Sequence, residues 1–456
     1  MPGINNILEI GKSSLFAHQT AINLTGQNIA NVETEGYTRK IPIFTPSVTL
    51  LGDKFNLGSG VDITAIQRTR DRYIDSQLSF QNQTLSYWKT MDAKHEILEQ
   101  IFEEPSSTGL GTIMNDFFNS WNELANNPEN PSMRDNVIYK GDALAKKINF
   151  IENRLTNLQG EISLEMSQEI DKFNAYAEQI VEINRKLAYV NKEGGGVSNL
   201  MDERDKLLAK MDEIADITVS ENDDGQVNLI LNGKVFLQKA HLIKVDSSKL
   251  DNDLNHINWE DGSVSEQANG GKLGALIELR EEIIPENLDK LDEFAKTMVD
   301  RVNAIHKTGY GMDGSTGINF FDEAGLDAHN IRINPQLLSN NEYLAASGDG
   351  NTGSGTNAVL LANLQDEFTM SGNTLTFTDF YANMVTAEGN RRKEATILLD
   401  GQEQFVTSLT AYQQSISGVA IDEEMTNLIK FQRGYQAAAK LITVADEMYN
   451  TIINLV

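Results

Sequence analysis

Cysteine is absent from this 456-residue chain. That removes disulfides, thiol catalysis and every cysteine-based metal site in one step. Histidine is sparse: His18, His95, His241, His256, His306 and His329 each stand at least fifteen residues from the next. No helical ligand pair of the zinc-peptidase kind exists among them. No apolar run approaches the length of a membrane-spanning helix. Positive charge is in deficit, with 38 Lys and Arg against 66 Asp and Glu and a net charge of −28. Such a balance argues against nucleic acid or an anionic membrane as partner. The opening Met1-Pro2-Gly3-Ile4-Asn5-Asn6 has neither the basic nor the continuous apolar region of a cleaved signal peptide. If the protein leaves the cell, a dedicated export machine is expected. Freedom from cysteine fits the cytoplasm and equally fits export in an unfolded state.

Chemistry-bearing motifs are missing too. Gly348-Asp349-Gly350-Asn351-Thr352-Gly353 satisfies GxGxxG literally, but the dinucleotide fingerprint needs a hydrophobic strand before it. Asn340-Asn341-Glu342-Tyr343 is a poor strand. Asp313-Gly314-Ser315 lacks the ligand ladder of an EF-hand, leaving only a turn-bound cation near Asp313 open. Asp202-Glu203-Arg204-Asp205 reads as acids at a helix start, complementing its dipole. The expectation is no catalytic residue, no cofactor and no metal, hence not an enzyme.

What is present is apolar periodicity at both ends. Leu428, Phe431, Tyr435, Ala438, Ile442, Ala445, Tyr449, Ile452 and Val456 alternate steps of three and four, the seam of a helix that lies along another helix. Ile4, Leu8, Gly11, Leu15, His18, Ile22, Thr25 and Ile29 keep the same rhythm, with Gly11, His18 and Thr25 as interruptions. The two ends pair antiparallel if the intervening chain folds back; two ordinary core helices give the same pattern. One partner helix offsets little of the entropy of ordering so long a segment. Both ends are therefore expected to be mobile in the monomer and to order fully on assembly.

Between the ends, Asn31 to Arg39 is turn-rich, and Pro42 and Pro46 exclude helix from what reads as a hairpin or irregular loop. Helical pattern runs from about Thr69 to Pro105 and from Ile113 to Leu124. A near-heptad repeat from Ile148 to Val190 predicts a long helix ended by Gly194-Gly195-Gly196. Alternating Ile217/Val219, Val227/Leu229/Leu231 and Val235/Leu237, separated by Asp223-Asp224-Gly225 and Asn232-Gly233, predict a small antiparallel sheet. Helix returns at Leu273, Pro285 must kink it or begin a new one, residues 309–378 read as loop or short strand, and helix resumes from 378 to Ser417.

The segments Asn28-Ile29-Ala30-Asn31-Val32-Glu33-Thr34-Glu35-Gly36-Tyr37-Thr38-Arg39 and Ser417-Gly418-Val419 through Phe431-Gln432-Arg433-Gly434-Tyr435-Gln436-Ala437-Ala438-Ala439-Lys440 resemble the N- and C-terminal signatures of bacterial flagellar rod, hook and hook-associated axial proteins. Asn28, Asn31, Gly36, Tyr37 and Arg39 carry the first signature. Tyr37-Thr38-Arg39, the segment with Asp202 to Asp205, and Gln413 to Val419 point to the hook-associated protein 1 branch. Glu35 departs from the family's usual Pro, and a second inserted domain is missing between Phe321 and Asn330.

The resemblance implies an α+β, mainly α fold. The N- and C-terminal thirds would form an antiparallel long-helix bundle, with a small inserted β-rich domain. Residues 1–68 would pair with 418–456 as an axial unit. Residues 69–216 with 273–308 and 378–417 would form the body, and 217–272 with part of 309–377 the outer domain. It further implies a secreted structural subunit of the extracellular flagellum, at the hook–filament junction. Assembly would run through Ile4, Leu8, Leu15, Ile22, Ile29, Leu428, Phe431, Tyr435, Ile442, Tyr449, Ile452 and Val456. Implied partners are the hook protein, a second junction protein, further copies of itself, an export chaperone and the flagellar type III export apparatus. Another axial protein, such as a hook or rod subunit, and a secreted hydrolase on an axial scaffold remain as other readings.

Overall fold

The computed structural model describes residues 2–34, 36–47, 49–50, 57–102, 106–189, 195–222, 225–247, 256–266 and 270–455. Val456 of the seam and Glu35 of the turn lie outside them. In chain order the elements begin with α1 (Pro2–Ala30) and a hairpin in which β1 (Lys40–Pro46) pairs antiparallel with β4 (Val61–Arg68), and β2 (Thr49–Leu50) with β3 (Leu57–Gly58). Then come α2 (Arg72–Phe102), α3 (Leu110–Asn126), α4 (Pro131–Tyr189) and α5 (Gly195–Ile214). The strands β5 (Ile217–Glu221), β6 (Val227–Leu231), β7 (Lys234–Gln238) and β8 (His241–Leu242) form a sheet in sequential antiparallel order, followed by the pair β9 (His256–Asn258) and β10 (Val264–Glu266). The chain closes with α6 (Gly271–Glu278), α7 (Ile284–His306), α8 (Pro335–Ser339), α9 (Thr356–Asn363), α10 (Phe377–Ser417) and α11 (Ile421–Leu455).

The spine is α4. Asn130 caps it, its Oδ1 accepting the Ser132 amide at 3.0 Å, and Pro131 takes the first helical position. Its 59 residues span roughly 90 Å at 1.5 Å per residue. The repeat from Ile148 to Leu187 is buried along its length. Near its C-terminal half sits the sheet: Phe236 packs between Phe173 and Trp259, at centroid separations of 5.4 and 5.7 Å. Asn184 Nδ2 donates to the Val227 carbonyl at 2.9 Å. Asn232 and Gly233 turn the hairpin with φ of 47° and 78°, the paired left-handed geometry that such two-residue turns need.

Segment 309–377 lies elsewhere, against the beginning of α4. Arg134 Nη1 donates to the Leu344 carbonyl at 2.7 Å and Asn149 Nδ2 to the Ala328 carbonyl at 2.7 Å. This segment is more ordered than its Gly, Asn and Ser content suggests, since it contains α8 and α9. One further detail differs from the sequence reading: Gly195 and Gly196 open α5 and do not terminate α4. Pro285 begins a new helix, sitting in the first turn of α7 where its missing amide donor costs no helical hydrogen bond, and a π-helical turn, Leu279–Ile283, joins α6 to α7.

The long helices pair in two antiparallel sets. Along α2 and α10, Tyr381 meets Phe102, Thr396 meets Asp92 and Gln413 meets Asp75. Along α1 and α11, Tyr449 meets Asn5 and Glu424 meets Asn28. The fold is thus mainly α, with long terminal helices packed together and small antiparallel sheets inserted.

Candidate assembly interface

Close approach of α1 and α11 depends on residues without side-chain bulk. A Cβ on Gly11 would stand 2.9 Å from Ile442 Cγ1 and 3.4 Å from the Ala438 carbonyl oxygen. One on Gly434 would fall 2.5 Å from His18 Nε2. Ala438 and Ala445 are buried. Of the residues that interrupt the N-terminal stripe, Gly11 and His18 therefore sit at the tightest contacts, and Thr25 is buried. Ile4, Leu8, Leu15, Ile22 and Ile29 are half-buried, as are Leu428, Phe431, Tyr435, Ile442, Tyr449 and Ile452. A second stripe, Ala17, Ala21 and Leu24, is fully buried. Its four–three spacing was readable, but its small side chains carry little hydrophobic signal.

His18 lies in an aromatic cluster, its ring centroid 6.0 Å from Phe44 of β1 and 6.2 Å from Phe431. Burial lowers its pKa, so the neutral ring is favoured there. The Asn28 amide organises the base of the unit. Its Nδ2 donates to the Lys40 carbonyl and to Glu424 Oε2, each at 2.9 Å. Its Oδ1 accepts Tyr37 OH at 2.9 Å and the Lys40 amide at 3.2 Å. Arg39 grips Glu424 Oε1 at 2.8 Å and Glu423 Oε2 at 2.9 Å. Burial, with Asp202 and Glu424 nearby, pushes the Tyr37 phenol up to about 12. Gly36 holds φ 70°, and a Cβ there would stand 2.5 Å from Lys206 Cε. Asn31 Nδ2 donates to the Gln27 carbonyl at 2.9 Å, closing the end of α1.

The acidic motif on α5 is not a dipole complement at a helix start, because α5 begins at Gly195. Asp202 pairs with Lys40 at 3.3 Å and Arg68 at 3.0 Å; Asp205 pairs with Arg68 at 2.6 Å, with Arg70, and with Arg204 at 2.8 Å. Arg204 is adjacent in sequence, but Lys40, Arg68 and Arg70 are more than 130 positions away, beyond the reach of local pattern.

The buried His306 and His95 are structural. His306 is buried with both ring nitrogens engaged, Nδ1 with the Ile318 carbonyl at 2.7 Å and Nε2 accepting the Ala345 amide at 3.0 Å. Burial pushes its pKa down to about 4, and it is neutral. His95 is held by Glu388. Asp313 Oδ1 accepts the Ser315 amide at 2.9 Å and closes its own turn. Among the described residues no three His, Asp or Glu come together as a metal-binding group. The GxGxxG segment follows a 3-10 turn at Asn341–Tyr343, not a strand with a dinucleotide-binding register.

A family model described as "Flagellar hook-associated protein FlgK helical domain" matches residues 96–321, and one described as "Flagellar basal body rod FlgEFG protein C-terminal" matches residues 412–455. Flagellar hook-associated protein 1 of Bacillus subtilis (strain 168) is 30% identical over 494 positions, covering 98% of this chain and 97% of that protein. Its Escherichia coli (strain K12) namesake is 25% identical over 549 positions, covering 99% and 100%. That alignment is longer than this chain's 456 residues, so the Escherichia coli protein carries segments with no counterpart here. The fold is similar to the flagellar hook junction protein FlgK from Burkholderia pseudomallei, with a TM-score of 0.62 at 15% identity, covering 76% of this chain and 100% of that one. With a 30%-identical relative matched over nearly the whole of both sequences, the chain belongs to the flagellar hook-associated protein 1 family.

Proposed function

We propose that this protein is a structural subunit of the extracellular bacterial flagellum, seated at the junction between hook and filament and self-assembled through its terminal helices. The observation that carries the helix-based part is the incomplete burial of α11. Its inner face lies on α1, while Ile421, Met425, Ile429, Leu441, Val444, Met448 and Ile453 remain exposed. Apolar side chains left facing solvent on both flanks of the seam form association surfaces. Repeated heterologous contacts between such surfaces build a helical lattice. In the lattice, the hook protein lies on one side and a second junction protein on the other.

The chain acts without catalysis on this reading: the buried His95 and His306 are engaged structurally, and the Asp202 and Asp205 acids are paired with basic side chains. Export through the flagellar type III apparatus, with a chaperone covering α11 before assembly, accords with the exposed stripe and the cysteine-free sequence. Deleting the gene tests the junction role. Cells should retain hooks but lack filaments and shed filament subunits into the medium; normal filaments on the deletion strain would defeat the assignment.

A further inference from the structure

Between the terminal unit (α1, the β1–β4 hairpin and α11) and the body (α2 to α10), the described structure shares no hydrophobic core. The buried apolar cluster of the body, with the partly buried side chains packed on it, runs from Tyr87 to Ala395 and includes no residue of 1–68 or 418–456. The chain crosses between the two units only twice. One crossing is Thr69 to Asp71, after β4; the other is Gly418 to Ala420, after α10. They lie side by side, because Arg39 joins them: its amide donates to the Ser417 carbonyl at 3.0 Å and its carbonyl accepts the Thr69 amide at 2.8 Å.

What holds the hairpin to the body is charge. Lys40 and Arg68 of the hairpin, and Arg70 of the first crossing, converge on Asp202 and Asp205 of α5; Arg70 also reaches Asp75 at the start of α2, at 2.6 Å. Around this cluster a cleft of about 2240 Å³ stays open between hairpin, α5 and the end of α10. A polar contact beside an open cleft, with two adjacent crossings and no common core, is the anatomy of a joint, since relative motion is the default unless the contact is large and apolar.

We infer that the paired crossings form an articulation and that the Asp202–Asp205 acids on α5 are the latch fixing the terminal unit in one orientation. Neutralising the latch frees the swing without unfolding either side. The ion pairs are mostly shielded, the basic side chains being 1, 11 and 24% exposed for Lys40, Arg68 and Arg70, so salt weakens the latch only in part. The inference concerns the isolated chain and does not depend on where it assembles.

Absence of cysteine makes the test direct. The full-length chain carries two introduced labels, Lys89→Cys on α2 and Lys440→Cys on α11, both exposed. Nitroxide pairs there report the inter-unit distance by pulsed electron resonance. One narrow distance distribution is expected at low salt. In Asp202→Asn/Asp205→Asn it should at least double in width, with 1 M NaCl giving an intermediate width in the parent. Lys272→Gln, which removes ion pairs to Glu165 and Glu169 inside the body, should leave the width unchanged. Should the α5 variant lose the body's cooperative melt, Arg68→Gln/Arg70→Gln reads the same latch from the other side. A distribution that stays narrow in both variants overturns the inference, as does equal broadening by Lys272→Gln.

Discussion

Asn28 and Glu424, 396 positions apart in sequence, meet at 2.9 Å in the buried base of the terminal unit. Both hydrogens of the Asn28 amide and both acceptor sites of its carbonyl are used. Asn28→Ala removes one donor from the buried Glu424 carboxylate, which Arg39 still holds, and leaves two Lys40 backbone groups and the Tyr37 hydroxyl without this partner, a loss of about 2–4 kcal/mol. The loss is confined to one unit, because no apolar core connects it to the body. Amide exchange along α1 should accelerate by about 30- to 1000-fold, at a factor of ten per 1.4 kcal/mol, while α4 amides keep their protection. Equal acceleration in both helices would mean that the two units unfold together.

Gly11 and Gly26 lie on the same helix and should respond oppositely to substitution. Gly11 faces Ile442 and the Ala438 carbonyl, whereas a Cβ on Gly26 meets nothing within 4 Å. Gly26→Ala should stabilise α1 by about 0.5–1 kcal/mol through reduced chain entropy. Gly11→Leu forces the helices apart at about 1–3 kcal/mol. Far-UV circular dichroism on heating resolves the two, with the first melt rising for Gly26→Ala and falling for Gly11→Leu.

These glycines also show why the ends were only partly legible in sequence. Hydrophobic periodicity registers side chains that are present, so the Leu428-to-Ile452 stripe stood out and the matching N-terminal stripe looked flawed. Close helix approach rests on side chains that are missing, and Gly11 and Gly434 carry it. The α5 acids were invisible for a different reason: their partners Lys40, Arg68 and Arg70 come from a hairpin and the crossing after it, distant in the chain. Local reading could assign them only to the helix they sit on. The strands from Ile217 to Leu237 were legible because alternation and turn residues are both local.

Asp212 makes the stability of the body depend on pH. It is buried, accepts from Ser79, and burial together with Asp216 and Glu213 pushes its pKa from 3.8 up to about 7. A carboxyl whose folded pKa is raised stabilises below its unfolded pKa, and that stabilisation disappears as pH rises through the folded value. The window is therefore pH 3.8 to about 7. Between pH 5 and 8 the linkage amounts to roughly 2.5 kcal/mol. Asp212→Asn should gain on the parent by about that amount over the same interval. Urea unfolding at the two pH values measures it; a pH-independent difference would mean that the group does not titrate in this window.

Limited proteolysis separates the two units kinetically. With only one face of α11 covered and no core shared with α4, the purified monomer should lose roughly its first and last few dozen residues before the body is cut. Mass spectrometry of the early fragments would show a body beginning near α2 and ending near α10. Ends that outlast the body would mean that the terminal unit is not the less stable of the two.

Two substitutions on α11 distinguish its faces. Tyr435 is half-buried against α1, while Met448 is 43% exposed on the outer side. Tyr435→Asp puts a charge into the α1–α11 seam, and that desolvation cost lowers the stability of the terminal unit itself. Met448→Glu changes a side chain that is largely open to solvent and should change stability by less than about 0.5 kcal/mol. Both variants should be exported and both should fail to support filaments, the first through the folded unit and the second through the lattice contact. Electron microscopy of cells carrying each variant, set beside the thermal melt of the purified proteins, separates the causes. If Met448→Glu cells grow normal filaments, the outer stripe is not the contact surface, and assembly must run through the inner seam by exchange of helices between subunits.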